Sequence, residues 1–143
     1  MKKQKKMRKE DIVVSLELAK KLKEAGVNSP SLFYWRIWDD KSVDLAMEHE
    51  DDFDYSGVGR KVTEKIPAYM PPELMEMLPH SIRLREGHQY ILCVHKSSLS
   101  DGYVVRYQRY HNGEIEILQQ FANWKLSDAL AEMLIWWREK RNE

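Results

Sequence analysis

The stretch that decides the fold is Leu126-Ser127-Asp128-Ala129-Leu130-Ala131-Glu132-Met133-Leu134-Ile135-Trp136-Trp137-Arg138-Glu139-Lys140-Arg141. Its apolar side chains recur at helical spacing on one side: Leu130, Met133, Leu134 and Trp137. This spacing predicts an amphipathic helix, which must cover its apolar side with another layer of the protein. Because most of the preceding sequence alternates as strands do, the stretch predicts a helix packed on a sheet.

Two shorter helices are predicted upstream. Ser15 can accept a hydrogen bond from a first-turn amide and Gly26 can take the left-handed conformation that ends a helix, so we expect a helix over residues 16–25. Pro71 and Pro72 suit the first turn of a second helix, because their missing amide hydrogens cost little there. Pro79 ends this helix after about two turns.

The other segments have the alternation of strands. Residues 33–38 and 43–47 predict a first hairpin, and residues 82–85, 88–96 and 103–110 predict later strands. Asn112-Gly113 predicts a type I′ turn that leads into a last strand. In that register Arg109 lies opposite Glu116 and Tyr110 lies opposite Ile115, with Ile117 and Phe121 continuing the apolar side. Residues 48–60 predict a long loop or an irregular strand pair.

Together these elements predict an α+β fold with a single antiparallel sheet of about five to six strands. N- and C-terminal helices and one short middle helix are expected mainly on one face of it. Residues 11–143 contain no linker or repeat and predict a single α+β domain. Residues 1–10 are rich in lysine and predict a disordered basic tail.

Composition excludes several classes of protein. Lys plus Arg and Asp plus Glu both number 23, so no net field attracts a nucleic acid or an anionic membrane. No apolar run is long enough to span a bilayer, and the charged N-terminal segment does not resemble a signal peptide. The lone Cys93 allows no internal disulfide. We therefore expect a cytoplasmic protein with no membrane association, with nucleic acid an improbable partner, and we expect no cofactor.

Three segments carry a family resemblance. They are residues 15–26 followed by Phe33-Tyr34-Trp35, Ile66-Pro67-Ala68 leading to Glu73-Leu74 and Leu78-Pro79, and residues 128–136. In order and spacing they resemble a group of small uncharacterised proteins of bacterial prophages and phages. The resemblance implies a phage or mobile-element origin and no established activity, so it assigns no functional residues.

One acidic segment offers candidate metal ligands: Glu48, His49, Glu50, Asp51, Asp52 and Asp54. It lacks the alternating ligands and the glycine of a calcium loop, and neighbouring strand residues point to opposite faces, so we expect no metal site. Gly57-Val58-Gly59-Arg60-Lys61 lacks the spacing of a phosphate-binding loop and predicts a turn.

Cys93, His95 and Asp101 are the residues that could form a nucleophile, a base and an orienting carboxylate. The apolar neighbours of Cys93 favour a small buried side chain instead, so we expect no catalytic residues. A small hydrolase or metal-dependent enzyme is therefore a remote alternative.

Arginines and tyrosines recur on the later strands. The arginines are Arg83, Arg85, Arg106 and Arg109, and they neighbour Tyr90, Tyr103, Tyr107 and Tyr110. A basic, aromatic sheet face can stack the bases of a single-stranded nucleic acid, so a nucleic-acid-binding accessory protein is the alternative function. Protein interfaces have the same composition, and the neutral net charge favours them.

The sequence thus predicts a non-enzymatic protein-interaction module with an unknown protein partner. The expected interaction surface consists of Tyr103, Tyr107, Ile135 and Trp136. Ile135 falls outside the apolar stripe of the last helix and Trp136 lies at its margin, so a single core would leave them uncovered. Uncovered aromatic surface usually marks an interface, and we expect a homodimer.

Overall fold

The computed structural model describes residues 7–54, 59–99 and 101–141. The chain forms two compact units, Met1–Met70 and Pro71–Glu143, where the sequence predicted one domain over residues 11–143. The α+β class is confirmed. The prediction of a single sheet is wrong, because each unit builds an antiparallel sheet of its own.

The first described element is a 3-10 turn over Lys9–Asp11, which overlaps the end of the predicted disordered tail, residues 1–10. Residues 1–6 of that tail lie outside the described residues. Helix α1 spans Leu16–Glu24, as predicted, and the hydroxyl of Ser15 accepts a hydrogen bond from the Leu18 amide at 3.4 Å. Gly26 follows with a φ of 88°, the left-handed conformation that ends the helix.

Four strands form the first sheet: β1 Phe33–Trp38, β2 Val43–Met47, β3 Phe53–Asp54 and β4 Arg60–Pro67. Their order is β2-β1-β4-β3, so the predicted hairpin of β1 and β2 is confirmed. No strand was predicted over residues 61–67, yet β4 pairs antiparallel along β1. This pairing explains why the prediction of a single sheet is wrong. Strand β4 completes the first sheet, and the later strands form a second one.

The core of the first unit lies on the face of the sheet that carries Trp35. Val13, Leu45 and Ala68 are buried together there, and the rings of Phe33 and Trp35 pack against them. The indole nitrogen of Trp35 donates to the carbonyl oxygen of Val14 at 2.9 Å. This bond satisfies the one polar atom of the ring and ties the N-terminal segment to β1.

The second unit contains, in chain order, α2 Pro71–Met77, β5 Ser81–Arg83, β6 Gln89–Lys96, β7 Tyr103–His111, β8 Glu114–Asn123 and α3 Leu126–Arg141. The strands form an antiparallel meander in the order β5-β6-β7-β8. Helix α3 packs on β7 and β8, and α2 contacts α3. The predicted arrangement of a helix on a sheet is therefore confirmed in this unit.

The turn between β7 and β8 fixes their register. Asn112 and Gly113 have φ angles of 50° and 78°, as a type I′ turn requires. Arg109 pairs with Glu116 and Tyr110 with Ile115, as predicted. A bulge then shifts the register, because Tyr107 pairs with Gln119 whereas Gln108 pairs with Ile117. The extra residue turns Ile117 and Phe121 to opposite faces, so the predicted common apolar side of β8 is wrong.

Helix α3 contributes seven buried residues to the second unit. Leu130, Met133 and Leu134 are fully buried, as the spacing predicts, whereas Trp137 is only partly buried. Buried residues surround the first two turns and include Ser127 and Ala131. Among the described residues, no helix has the length and hydropathy needed to cross a membrane.

Candidate interaction surface

One face of the second sheet points away from α3. The side chains of Val105 and Tyr107 mark the face that α3 covers, since both are fully buried. Because side chains alternate along a strand, Arg106, Gln108 and Tyr110 point to the opposite side. We call this side the open face; its strand partners include Ile91 opposite Gln108 on β6, and Ile115 and Ile117 on β8.

The open face exposes a cluster of large apolar side chains. Ile91 is 48% exposed, Tyr110 74%, Ile115 45% and Ile117 46%. Ile91 and Ile117 flank Gln108 on either side, and Tyr110 pairs directly with Ile115. The four side chains therefore occupy adjacent rows of the sheet, near the turn between β7 and β8.

The charges of the second sheet are divided between its faces. Arg83 and Arg106 lie on the open face, because Arg83 pairs with Gln89 and Arg106 with Cys93. Strands β5 to β8 are described in full, and their only carboxylates, Glu114 and Glu116, point to the opposite side. The open face is thus apolar and locally cationic in a chain of no net charge.

Arg106 lies beside the apolar cluster and contacts its cross-strand neighbours. Its guanidinium is 3.3 Å from the Nε2 of His95 and 3.4 Å from the Oε1 of Gln120. The buried Nε of Arg106 and the buried Oε1 of Gln108 have no hydrogen-bond partner in the part of the chain that the structure describes. These residues give the open face polar groups beside its isoleucines.

Arg109 takes part in a separate cluster on the other face. Its Nε donates to the Oε2 of Glu116 at 2.7 Å, and its guanidinium lies 5.5 Å from the ring centre of Tyr90. The hydrogen bond from Arg109 lowers the pKa of Glu116, and the same bond raises the pKa of Arg109. Arg109 is therefore neutralised within the unit.

The structure places the predicted interaction residues apart from the open face. Tyr107 is fully buried, and its hydroxyl donates to the carbonyl oxygen of Pro79 at 2.6 Å. Burial raises the pKa of this phenol. Trp136 lies next to it, with the ring centres 6.5 Å apart. Tyr103, Ile135 and Trp136 are partly buried, so only fractions of these side chains reach solvent.

The four arginines proposed for nucleic-acid contact do not share one face. Arg83 and Arg106 are on the open face, Arg109 is on the side of Glu116, and Arg85 lies in the turn after β5. Of their predicted tyrosine neighbours, Tyr90 and Tyr107 are buried. The basic, aromatic face expected from the sequence is thus reduced to Arg83, Arg106 and Tyr110.

The acidic segment of the first unit supplies contacts to two cations, Arg36 and Lys65. Arg36 is 7% exposed and donates to both carboxylate oxygens of Asp44, at 2.9 Å and 2.6 Å. It also donates to the carbonyl oxygen of Asp51 at 2.7 Å, and Asp52 lies 3.1 Å from Lys65. The hydrogen bond from Arg36 lowers the pKa of Asp44. Part of the segment considered for metal binding therefore serves Arg36 and Lys65.

The other candidate residues are dispersed. Cys93 and His95 lie on the open face, whereas Asp101 lies in the turn between β6 and β7. That turn borders a cavity of about 260 Å³, and its lining residues are Lys96, Ser97, Asp101, Gly102 and Tyr103.

Among the described residues, no three His, Cys, Asp or Glu side chains are grouped as metal ligands. Residues 57 and 58 of the glycine-bearing segment lie outside the described residues.

Comparison with protein-family models, with curated protein sequences and with solved structures finds no match. The candidate surface therefore rests on geometry. Sequence reasoning missed Ile91 and Ile117 as exposed residues, because an apolar strand residue looks the same on a buried and on an open face. The pairing of Tyr110 with Ile115, which the Asn112-Gly113 turn predicts, was the one available signal.

Proposed function

We propose that this chain is a non-enzymatic protein-interaction module and that the open face binds a protein partner. One observation carries the proposal: Ile91, Tyr110, Ile115 and Ile117 are 45–74% exposed on adjacent rows of one face. Exposed apolar side chains that cluster in this way usually mark an interaction site, whereas scattered ones do not.

The chemistry of the open face supports a protein rather than a nucleic acid. Single-stranded nucleic acids bind by stacking bases on aromatic rings, and Tyr110 is the only Phe, Tyr or Trp at the described strand positions of this face. The three isoleucines offer aliphatic surface, which suits the apolar centre of a protein interface. Arg83 and Arg106 suit the rim of such an interface, where they would meet acidic groups of the partner.

A nucleic-acid-binding accessory protein is the second candidate. It is favoured by one feature, the presence of Arg83, Arg106 and Tyr110 on a face that carries no carboxylate at its described strand positions. We also propose the prophage origin and the cytoplasmic location that the sequence predicts. Neither assigns a reaction to the chain.

Affinity capture tests the proposal. The immobilised full chain is incubated with an extract of cells that express it, and any protein bound in stoichiometric amount is purified and titrated by calorimetry. Ile117→Lys should raise the Kd at least tenfold, because it places a charge in the apolar cluster. Val43→Lys is the matched control, since Val43 is 43% exposed on the first sheet, and it should leave the Kd unchanged.

Two outcomes contradict the protein-binding proposal. One is the absence of any stoichiometric protein partner, and the other is a purified partner whose Kd is the same for Ile117→Lys and for the wild type. Capture that is abolished by nuclease treatment, and weakened by Arg106→Gln, would transfer the function to nucleic-acid binding.

A further inference from the structure

Strand β8 forms an edge of the second sheet. It is ten residues long and has one neighbour, β7, so one row of its backbone groups faces no strand in the described part of the chain. Proteins commonly protect such an edge with lysine or proline, because unpaired N–H and C=O groups can recruit another strand. Strand β8 contains neither residue.

The register shows which backbone groups are unpaired. The two-residue turn makes His111 and Glu114 a hydrogen-bonded pair, and such pairs alternate with non-bonded pairs along the ladder. Tyr107 and Gln119 are then hydrogen-bonded, whereas Arg106 and Gln120 are not. The N–H and C=O groups of Gln120 therefore point away from β7.

A short contact supports this orientation. The amide of Gln120 donates to the side-chain Oε1 of its neighbour Gln119 at 2.8 Å. A side chain thus occupies the position that the carbonyl of an adjacent strand would take. Ala122 has the same orientation as Gln120, two residues further along the strand.

We propose that residues 119–123 pair antiparallel with the same residues of a second copy of the chain. A two-fold axis at Phe121 would place Gln120 opposite Ala122 of the second copy, and Ala122 opposite its Gln120. Both residues present outward N–H and C=O groups, so the pairing would form about four backbone hydrogen bonds. The two second sheets would become one continuous sheet of about eight strands.

The segment suits its own copy because it contains no charged residue. Its sequence is Gln-Gln-Phe-Ala-Asn, so a two-fold axis brings no like charges together. Amide side chains both donate and accept hydrogen bonds, so they can pair with themselves. The bulge separates this segment from Glu114 and Glu116, which stay outside the pairing.

Trp124 supplies a second reason for a partner at this edge. It follows β8 directly and is 63% exposed, an unusual position for so large an apolar side chain. In the proposed register Trp124 comes opposite Leu118 of the second copy, which would cover part of the ring. The homodimer expected from the sequence thus acquires a specific interface, distinct from the surface that the open face offers to another protein.

Sedimentation velocity at micromolar concentration tests this interface. The wild type should sediment as a dimer, and Gln120→Pro should be a monomer, because proline removes the outward N–H without breaking a bond to β7. Gln120→Thr keeps the amide and should remain a dimer. A wild type that is monomeric throughout the micromolar range would overturn the proposal.

A charge-swap experiment tests the register without proline. Gln120 and Ala122 are both exposed, so their substitution does not touch the core. A chain with Gln120→Lys and Ala122→Lys, and one with Gln120→Glu and Ala122→Glu, should each be monomeric, because like charges lie directly opposite. An equimolar mixture should restore the dimer. A dimer that persists in each double variant alone, or monomers that stay separate in the mixture, would contradict the proposed pairing.

Dimer formation through β8 and partner binding by the open face can be tested separately. Ile117→Lys should abolish binding of an open-face partner and leave the dimer intact, since Ile117 lies outside residues 119–123. Ala122→Pro, which removes the other outward N–H, should abolish the dimer and leave binding of the open-face partner intact. Loss of both properties in either variant would contradict the separation of the two surfaces.

Discussion

Arg36 shows how a single residue can organise the first unit. Its guanidinium is buried and bonded to Asp44 and to the carbonyl oxygen of Asp51, and it lies 4.9 Å from the ring centre of Trp38. A buried cation is costly unless it is paired and hydrogen-bonded, and these partners give each of its three nitrogens an acceptor. The sequence indicated only an arginine in an alternating strand, because Asp51 is fifteen positions away and reaches Arg36 only when the loop closes.

Replacing Asp44 with Asn should weaken the first unit. The change removes the paired carboxylate and leaves a buried guanidinium with a poorer acceptor, so we expect the free energy of unfolding to fall by about 1–3 kcal/mol at neutral pH. Urea denaturation measures it. Glu17→Gln is the control, since Glu17 forms an exposed pair with Lys21 and should change stability by about 0.5 kcal/mol or less.

The lowered pKa of Asp44 predicts that the stability of the first unit depends on pH. Because the pKa of Asp44 is lower in the folded than in the unfolded chain, the unfolded chain takes up the proton first as pH falls. The stabilisation that the Asp44 carboxylate provides is complete above the ordinary pKa of an aspartate, and it is lost as pH falls through the lowered pKa. The stability difference between wild type and Asp44→Asn should therefore shrink in acid; a difference that stays constant would exclude this cause.

Gly102 is required by a close backbone approach. A Cβ at this position would lie 2.7 Å from the carbonyl oxygen of Asn123 and 3.0 Å from the Cα of Trp124. Because these are backbone atoms, Gly102→Ala should force β7 and β8 apart and destabilise the second unit by about 1–3 kcal/mol. Thermal unfolding provides the measurement. Leu99→Ala is the control, since Leu99 lies in the same turn, is 96% exposed and should have almost no effect.

At the scale of elements, α3 is held by its middle turns rather than by its tryptophans. Met133 is fully buried, so Met133→Ala should cost about 2–5 kcal/mol in chemical denaturation. Trp137 is only partly buried, and Trp137→Ala should cost less than Met133→Ala. The reverse order would show that the C-terminal end of the helix carries the packing. Glu139→Ala, at an exposed position, serves as the control.

Elements that depend on local signals were predictable. The Ser15 cap, the Pro71-Pro72 start and the Asn112-Gly113 turn each act within a few residues, and each predicted its helix or hairpin. Strand β4 was not predictable in this way. It holds four charged residues and alternates poorly, and it becomes a strand because β1 supplies its hydrogen bonds.

The candidate surface depends on the bulge in β8, which no sequence pattern predicted. The bulge in β8 moves the residues after it by one position, which turns Phe121 towards α3 and leaves Ile117 on the open face. A regular β8 would have placed both side chains on one side. The exposed isoleucine cluster follows from this shift, so the sequence could supply its residues but not their arrangement.

At the scale of the whole molecule, the net charge of zero does not describe how the charged side chains are distributed over the second sheet. The chain is neutral, yet both carboxylates of the second sheet lie on the side opposite Arg83 and Arg106. A local excess of about two positive charges can orient an acidic partner at the rim of an apolar cluster. We expect it to be too small to hold a nucleic acid, which needs several phosphate contacts for useful affinity at physiological salt.

This limit gives a prediction that separates the two candidate functions. Fluorescence anisotropy with short single- and double-stranded DNA should detect no binding at micromolar protein and physiological salt. At low salt, any weak binding should lose little affinity per tenfold increase in salt, because only Arg83 and Arg106 are available on the open face and each contact contributes about one unit of slope. Arg106→Gln should reduce that slope by about one unit. Micromolar or tighter binding with a steep salt dependence would instead require further cations, and it would favour the nucleic-acid-binding alternative over the protein-interaction module.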